Sequence, residues 1–303
     1  RVLWVFVVNP HLSRTPHALT GRRGVRLTRL RPPPSVSPRN THNSPTRLLL
    51  MNMPFPSGLN RRHFLQVSAL GTAGLALGFE GAHAAQGPKI PVGLELYSVR
   101  EQCAKDLPGT IAAVAKIGYK GVEFAGYHGR SAKDLRKLLD DNGLVCCGTH
   151  TPYETILPDK LEATMEFNQI IGNKFLIVPW MEGKSKQAWL EKAKLFNEAA
   201  DKAKAKGMFV GYHAHAHDFE KFDGESAWDL FFGNTKADVI MQLDTSNCCD
   251  GGADPVAVLK KYPGRAKTIN IKSNGGGPKA VFGEDKVNWA EVFKFCEGPG
   301  RTQ

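Results

Sequence analysis

From Ile90 onward, short apolar runs alternate with amphipathic stretches. Seven runs rich in β-branched and large apolar residues predict strands: IPVGLELYS (90–98), KGVEFAGY (120–127), GLVCCGTH (143–150), KFLIVPW (174–180), MFVGYHAH (208–215), DVIMQLDT (238–245) and AKTINIKS (266–273). The stretches between them predict helices. LPGTIAAVAKIG places Pro108 in a first turn, and SAKDLRKLLDDNG has Ser131 as its N-cap and Gly143 at its end. KSKQAWLEKAKLFNEAADKAKAKG closes on Gly207, and DPVAVLKKYPG starts from Asp254 with Pro255 in the first position.

Repeated strand–helix units imply a parallel sheet covered on both faces. Units of about 25 to 35 residues, seven times over, suit a (β/α)8 TIM barrel better than a doubly wound sheet. No G-x-G-x-x-G follows the first strand, which speaks against a dinucleotide fold. The triplet GGG at 275–277 reads as a flexible loop. After the seventh strand, VNWAEVFKFCEG (287–298) reads as a helix and residues 299–303 as a tail. The expectation is therefore a barrel spanning 88–298 and cut short before strand eight. Strands one and seven would then have unpaired edges, predicting poor solubility or an oligomer.

Residues 1–50 are rich in arginine and proline and show no lasting apolar period, so they read as disordered or as a spurious upstream segment. Residues 51–87 look different. Arg61 and Arg62 precede His63, Phe64 and Leu65, a Gly/Ala-rich apolar run follows from Val67 to Phe79, and Ala82, His83 and Ala84 form a small-x-small cleavage pattern. This resembles a twin-arginine signal peptide, which implies the export machinery as a partner and a periplasmic or otherwise exported location. The run is too short and glycine-rich for a membrane span, which takes roughly 20 apolar residues.

Charge changes the picture less than it first suggests. The formal net charge is +11, but residues 1–62 hold eleven arginines and no acidic residue, leaving 29 basic against 29 acidic residues in the remainder. A neutral domain is a poor partner for nucleic acid. The 42% hydrophobic content suffices for a substantial core. The six cysteines include two adjacent pairs and no C-x-x-C, which reads as small buried hydrophobes rather than a disulfide framework.

In barrels of this type, chemistry sits at the carboxyl ends of the strands. Strand one offers Glu95 and Tyr97, strand two Glu123 and strand three His150. Strand four offers Trp180, with Glu182 in its loop, and strand five His213 and His215 within GYHAHAHDFE. Gln242, Asp244 and Asn247 close strand six, and Asn270 and Lys272 strand seven. Residues two apart share a side of a strand, so His213 faces with His215, Gln242 with Asp244, and Asn270 with Lys272. Burying one such group without a partner costs about 1–3 kcal/mol, which makes so many independent core accidents a poor explanation. The set reads as one pocket. His217 falls past the strand and reads as a solvated loop residue. Trp180 reads either as a wall of the core or as an aromatic surface on which the apolar C–H face of a ligand would stack.

The ordered segments VGLELYSVR, DLPGTIAAVAKIGYKGVEFAGY, GYHAHAHDFE, MQLDTSN and DPVAVLKKYPGRAKTINIK resemble the sugar phosphate isomerase/epimerase family, from about Pro88 to Gly298. The resemblance implies a xylose-isomerase-like TIM barrel acting on a small-molecule carbohydrate. It also implies one divalent metal, often Mn²⁺, held by residues of strands five to eight that are commonly Glu, Asp, His and Glu. At the matching positions this chain has His213, Asp244 and Asn270, and no strand eight follows. Imidazole with carboxylate suits Mn²⁺, Zn²⁺ or Fe²⁺. The implied chemistry is metal-assisted enolisation by a sugar isomerase or epimerase. His213 and Asp244 are then the metal-side candidates, and Glu123, His150 and His215 serve proton transfer. Trp180, Asn270 and Lys272 contact substrate. A keto-sugar lyase, a non-catalytic sugar-binding barrel and an inactive fragment are the alternatives.

Overall fold

A computed structural model describes residues 4–7, 91–275 and 282–297. The signal-like segment 51–87 and the tail 299–303 lie outside these residues, as does the segment 1–50 apart from its residues 4–7. Seven parallel strands come from the contiguous part of the chain. They are β2 (Val92–Glu95), β3 (Gly121–Phe124), β4 (Val145–His150), β5 (Phe175–Val178), β6 (Phe209–His213), β9 (Ile240–Asp244) and β10 (Thr268–Ile271). All seven predicted runs thus form strands, each shorter than its run.

The gap between β2 and β10 is filled by β1, Trp4–Val7, giving a closed barrel in the order β1-β2-β3-β4-β5-β6-β9-β10. Phe6 is in register with Asn270 of β10 on one side and Gly93 of β2 on the other. This corrects two expectations: four residues of the arginine-rich leader are a strand, and the edges of β2 and β10 are paired. The sequence WVFV has the aromatic and β-branched character of a strand, but four residues between arginine-rich flanks are too few to show a period. A two-stranded hairpin, β7 (Lys221–Phe222) and β8 (Glu225–Ser226), stands apart from the barrel.

Several helices start at capping side chains. Nine are described: α1 (Arg100–Lys105), α2 (Leu107–Ile117), α3 (Ala132–Asp141), α4 (Leu161–Ile170), α5 (Lys186–Ala205), α6 (Ala227–Phe232), α7 (Thr245–Asp250), α8 (Pro255–Lys261) and α9 (Trp289–Glu297). Ser131 Oγ accepts from the Asp134 amide and Asp254 Oδ1 from the Val256 amide, both at the predicted N-caps. Gly143 and Gly207 follow their helices at φ of 62° and 68°, where a β-carbon would be strained.

Apolar residues on the outer face of the strands pack under these helices in two clusters. Leu94, Val122 and Phe124 join Ile111, Leu135 and Leu139 in one. Val210, Tyr212 and Met241 join Trp189, Phe196 and Phe231 in the other. Each such side chain contributes about 1.5–3 kcal/mol by leaving water. The cysteines fit the core reading: Cys103, Cys146, Cys147 and Cys248 are buried, and no disulfide links the described residues. The opposite strand face carries polar groups, because inside the barrel the strand ends converge on a cavity.

Candidate active site

At the carboxyl ends of the strands lies a cavity of about 490 Å³. Of the eight residues singled out from the sequence, His150, Trp180, His213, His215, Asp244, Asn270 and Lys272 line it. Glu123 does not; it is fully buried beneath the floor. Glu95, Tyr97 and Asn247 also line the cavity. All three are strand-end residues in the sequence, where no role attaches to them.

The floor is organised by Gln242. Its Nε2 donates to Glu123 Oε1 at 2.8 Å and to Thr268 Oγ1 at 3.0 Å. Its Oε1 lies 2.9 Å from both His150 Nε2 and His213 Nδ1. With both amide hydrogens committed, Oε1 must accept from the two imidazoles, so each ring carries its proton on the nitrogen facing Gln242. His213 Nε2 and His150 Nδ1 are left as lone-pair acceptors. A single glutamine therefore sets the tautomers of two histidines, a role that sequence position alone did not reveal.

His150 stands between two carboxyls. Its Nδ1 is 3.5 Å from Glu95 Oε1 and its Nε2 is 3.4 Å from Glu123 Oε2. Burial pushes Glu95 up to about 7, against the opposing pull of His150. Burial pushes Glu123 up to about 8, against the hydrogen bond from Gln242. Desolvation is the cause in both, since a buried carboxylate loses its water. Protonated Glu95 is the natural partner for the lone pair on His150 Nδ1.

A local irregularity makes room for Glu123. The β3–β4 register shifts between Val122 and Glu123, so that Val122 pairs with Cys146 but Glu123 with Gly148. Cys147 is the extra residue, a bulge beside the site. A β-carbon on Gly148 would lie 2.4 Å from Glu123 Oε1.

The histidine-rich segment forms the opposite wall. Burial holds His213 well below the ordinary imidazole range, helped by His150 and His215 nearby. Burial, with His217 next, brings His215 down to about 4. Trp180 is 48% exposed; its ring centroid lies 4.6 Å from that of His215 and 4.2 Å from that of His217. His217 is not the solvated loop residue expected. Its Nε2 reaches the Met181 carbonyl at 2.8 Å, and its ring backs Trp180. Asp218, buried at the turn, accepts from the Tyr212 hydroxyl at 2.7 Å and the His215 amide at 2.6 Å. It fixes the direction in which the chain leaves β6.

On the remaining side, Asp244 Oδ1 caps α7 by accepting from the Asn247 amide at 2.7 Å. Its Oδ2 faces Lys272 Nζ at 4.0 Å. Burial pushes Asp244 up to about 6, with the Lys272 ammonium pulling it down. Lys272 Nζ donates to Asn247 Oδ1 at 3.2 Å. Asn270 is 1% exposed, and among the described residues neither its Oδ1 nor its Nδ2 has a hydrogen-bond partner.

The expected divalent metal does not fit this donor set. Among the described residues no three His, Cys, Asp or Glu converge on a metal-sized space. His213 and Asp244 remain a pair, β10 supplies the amide Asn270 in place of a stronger ligand, and the open oxygen of Asp244 already faces an ammonium.

Fold and cavity together define a (β/α)8 barrel of the kind that places its chemistry at the strand ends. The chain belongs to the xylose isomerase-like TIM barrel family, whose model matches residues 111–300. An inosose dehydratase of Clostridium botulinum (strain Alaska E43 / Type E3) is 26% identical over 186 residues, which cover 54% of this chain and 61% of that protein. The chain thus spans less than two thirds of that relative. A crystal structure of a sugar phosphate isomerase/epimerase from Parabacteroides distasonis ATCC 8503 has a TM-score of 0.60 and 27% identity, over 68% of this chain and 86% of that one. A second from the same organism, at 23% identity and a TM-score of 0.62, shares the fold. Among the described residues no helix is long and apolar enough to cross a membrane.

Proposed function

We propose that this barrel is an enolising enzyme for an unphosphorylated carbohydrate, an isomerase or epimerase that removes a proton beside a carbonyl. One observation carries the reading: the Glu95–His150–Glu123 row, in which two buried carboxyls pushed to about 7 and 8 flank an imidazole at a polar cavity. General acid–base groups work best near the operating pH, and these are raised into that range. The names of the similar proteins, an isomerase/epimerase and a dehydratase, lend support.

Glu95, which lines the cavity, takes the proton from carbon as its carboxylate. That carboxylate forms when Glu95 passes its own proton to the lone pair of His150 Nδ1, and the imidazolium so formed, held by Gln242, stabilises it. The C–H electron pair moves into the new C=C bond, and the carbonyl oxygen becomes an oxyanion. Return of the proton to the neighbouring carbon, with the hydroxyl proton there passing to the first oxygen, isomerises; delivery of a proton to the original carbon by a second acid on the opposite face epimerises. Trp180 offers an aromatic surface for the apolar C–H face of a sugar. Lys272 is the sole lysine or arginine among the described lining residues, with Glu95 and Asp244 nearby. That charge balance favours a free sugar over its phosphate.

Dehydration is the second reading. Among the described residues His215 Nδ1 has no hydrogen-bond partner; as a neutral imidazole His215 offers a hydrogen bond to a β-hydroxyl, which leaves as water with the proton that Glu95 took from carbon. The test is incubation with a panel of ketoses, aldoses and inososes in D₂O, with NMR reading deuterium at the carbon beside the carbonyl and ultraviolet absorbance reading an enone. Exchange that disappears in Glu95→Gln supports the proposal, and absence of exchange across the panel sinks it. We also propose export through the twin-arginine pathway, on the RRHFL stretch at 61–65. Fractionation of cells making the Arg61→Lys/Arg62→Lys double variant should show it retained in the cytoplasm.

A further inference from the structure

We infer that Lys272 and Asn270 form a built-in oxyanion site, so that the cation polarising the substrate in this barrel belongs to the chain and not to a metal ion. The inference rests on the enolising reading above and names the group that holds the developing charge.

Asn270 closes the interior of β10, and Lys272 follows two residues later on the same side; both line the cavity. An asparagine that is 1% exposed, with neither amide atom partnered among the described residues, carries a penalty of about 1–3 kcal/mol unless something else meets it. Asn270 lines the pocket, so its amide N–H is a donor that an acceptor bound there would satisfy. Lys272 supplies the charge. Its Nζ is held by Asn247 Oδ1 at 3.2 Å, and Asn247 is itself tied by its Nδ2 to the Ala214 carbonyl at 2.9 Å. Asp244 Oδ2, at 4.0 Å, lies beyond hydrogen-bond distance. The ammonium is therefore positioned while retaining donors for a ligand.

A dication bound by the open oxygen of Asp244 would stand beside that like charge, and Asn270 would be a weak ligand for it. An oxyanion meets the opposite situation, with an ammonium and an amide N–H as charge-assisted and neutral donors. In the proposed step, the carbonyl oxygen that gains the electron pair from the C–H bond accepts from Lys272 Nζ and Asn270 Nδ2. The proton resides on the base until it is returned.

The test uses the full chain, dialysed against EDTA, with D-gluconate as probe; its carboxylate stands in for the oxyanion and its hydroxyls for the sugar. Calorimetry should show gluconate binding without metal, weakened about tenfold or more in Lys272→Met and less in Asn270→Ala, while Lys272→Arg retains it. Electron paramagnetic resonance should show no stoichiometric Mn²⁺ site in the micromolar range, with or without gluconate. Thermal melts identify a variant that has merely failed to fold, and Lys272→Arg then serves as the matched comparison. Wild-type protein that does not bind gluconate, binding unchanged in Lys272→Met, or binding that requires one Mn²⁺ per chain overturns the inference. Lysine-dependent gluconate binding without deuterium exchange on any sugar would instead sink the enzyme reading and leave the oxyanion site standing.

Discussion

The Glu123 carboxylate occupies space that exists because residue 148 is glycine: a β-carbon there would come within 2.4 Å of Oε1. The close atom belongs to a side chain pinned by Gln242 at 2.8 Å, so the carboxylate cannot swing away without releasing the glutamine. Gly148→Ala is accordingly expected to destabilise the barrel by about 1–3 kcal/mol through overpacking. It should also disturb the histidine tautomers that Gln242 sets. Urea unfolding gives the first effect, and ¹⁵N-NMR of the imidazoles gives the second. Wild-type values in both would mean that the floor is looser than the geometry indicates.

Glu123 also gives a pH signature. Its carboxyl moves from an ordinary 4.5 to about 8 in the folded protein, because burial opposes ionisation. Between those values the folded state holds a proton that the unfolded state has lost, so the stabilising contribution is complete below pH 4.5 and declines as pH rises through 8. Glu123→Gln keeps an oxygen for Gln242 and cannot ionise. Its unfolding free energy relative to wild type should be near zero at pH 5 and favour the variant by about 1–3 kcal/mol at pH 9. Glu95 and Asp244 titrate in the same direction, which is why the difference between the two proteins is the quantity to measure. A difference that does not grow with pH contradicts a neutral buried Glu123.

The residues that sequence pattern found and those it missed differ in kind. Alternation along a strand placed His213 with His215 and Asn270 with Lys272, and all four line one cavity. Such pairing follows from backbone geometry alone, so it is readable from one segment. The roles of Gln242 and Asp218 depend on partners that only the closed fold brings together, such as Glu123 at Gln242. The bulge at Cys147 was hidden for a similar reason: nothing in VCCG distinguishes an extra residue from an ordinary strand until β3 sets the register. Glu123, expected in the pocket, lies buried behind it against His150.

Asp218 controls the mouth of β6. Asp218→Ala would leave the buried Tyr212 hydroxyl and the His215 amide without their acceptor, at about 1–3 kcal/mol each. The expected loss is therefore roughly 2–6 kcal/mol. His215 and His217 would also shift against Trp180, so the Trp180 contribution to fluorescence, taken by difference from Trp180→Phe, should change. Asp218→Asn, which retains an oxygen, should be milder. A stable Asp218→Ala protein with unaltered Trp180 emission would show that the turn holds itself in place.

Closure of the barrel rests on β1, and it can be tested by taking β1 away. Trp4–Val7 pairs with both β2 and β10, so a shortened chain beginning at residue 88 presents two unpaired parallel edges. Unpaired edges recruit other chains. The shortened chain should self-associate in light scattering at concentrations where the full chain does not. Phe6→Pro is the narrower test, because proline removes a ladder donor from a strand paired on both sides. It should lower the melting temperature and move the full chain toward the behaviour of the shortened one. The result bears on export as well: cleavage after Ala84 would remove β1 along with the signal, so the processed protein would have to close its barrel differently or associate. A monodisperse, cooperatively melting monomer from the shortened chain would show that seven strands suffice and that β1 is dispensable.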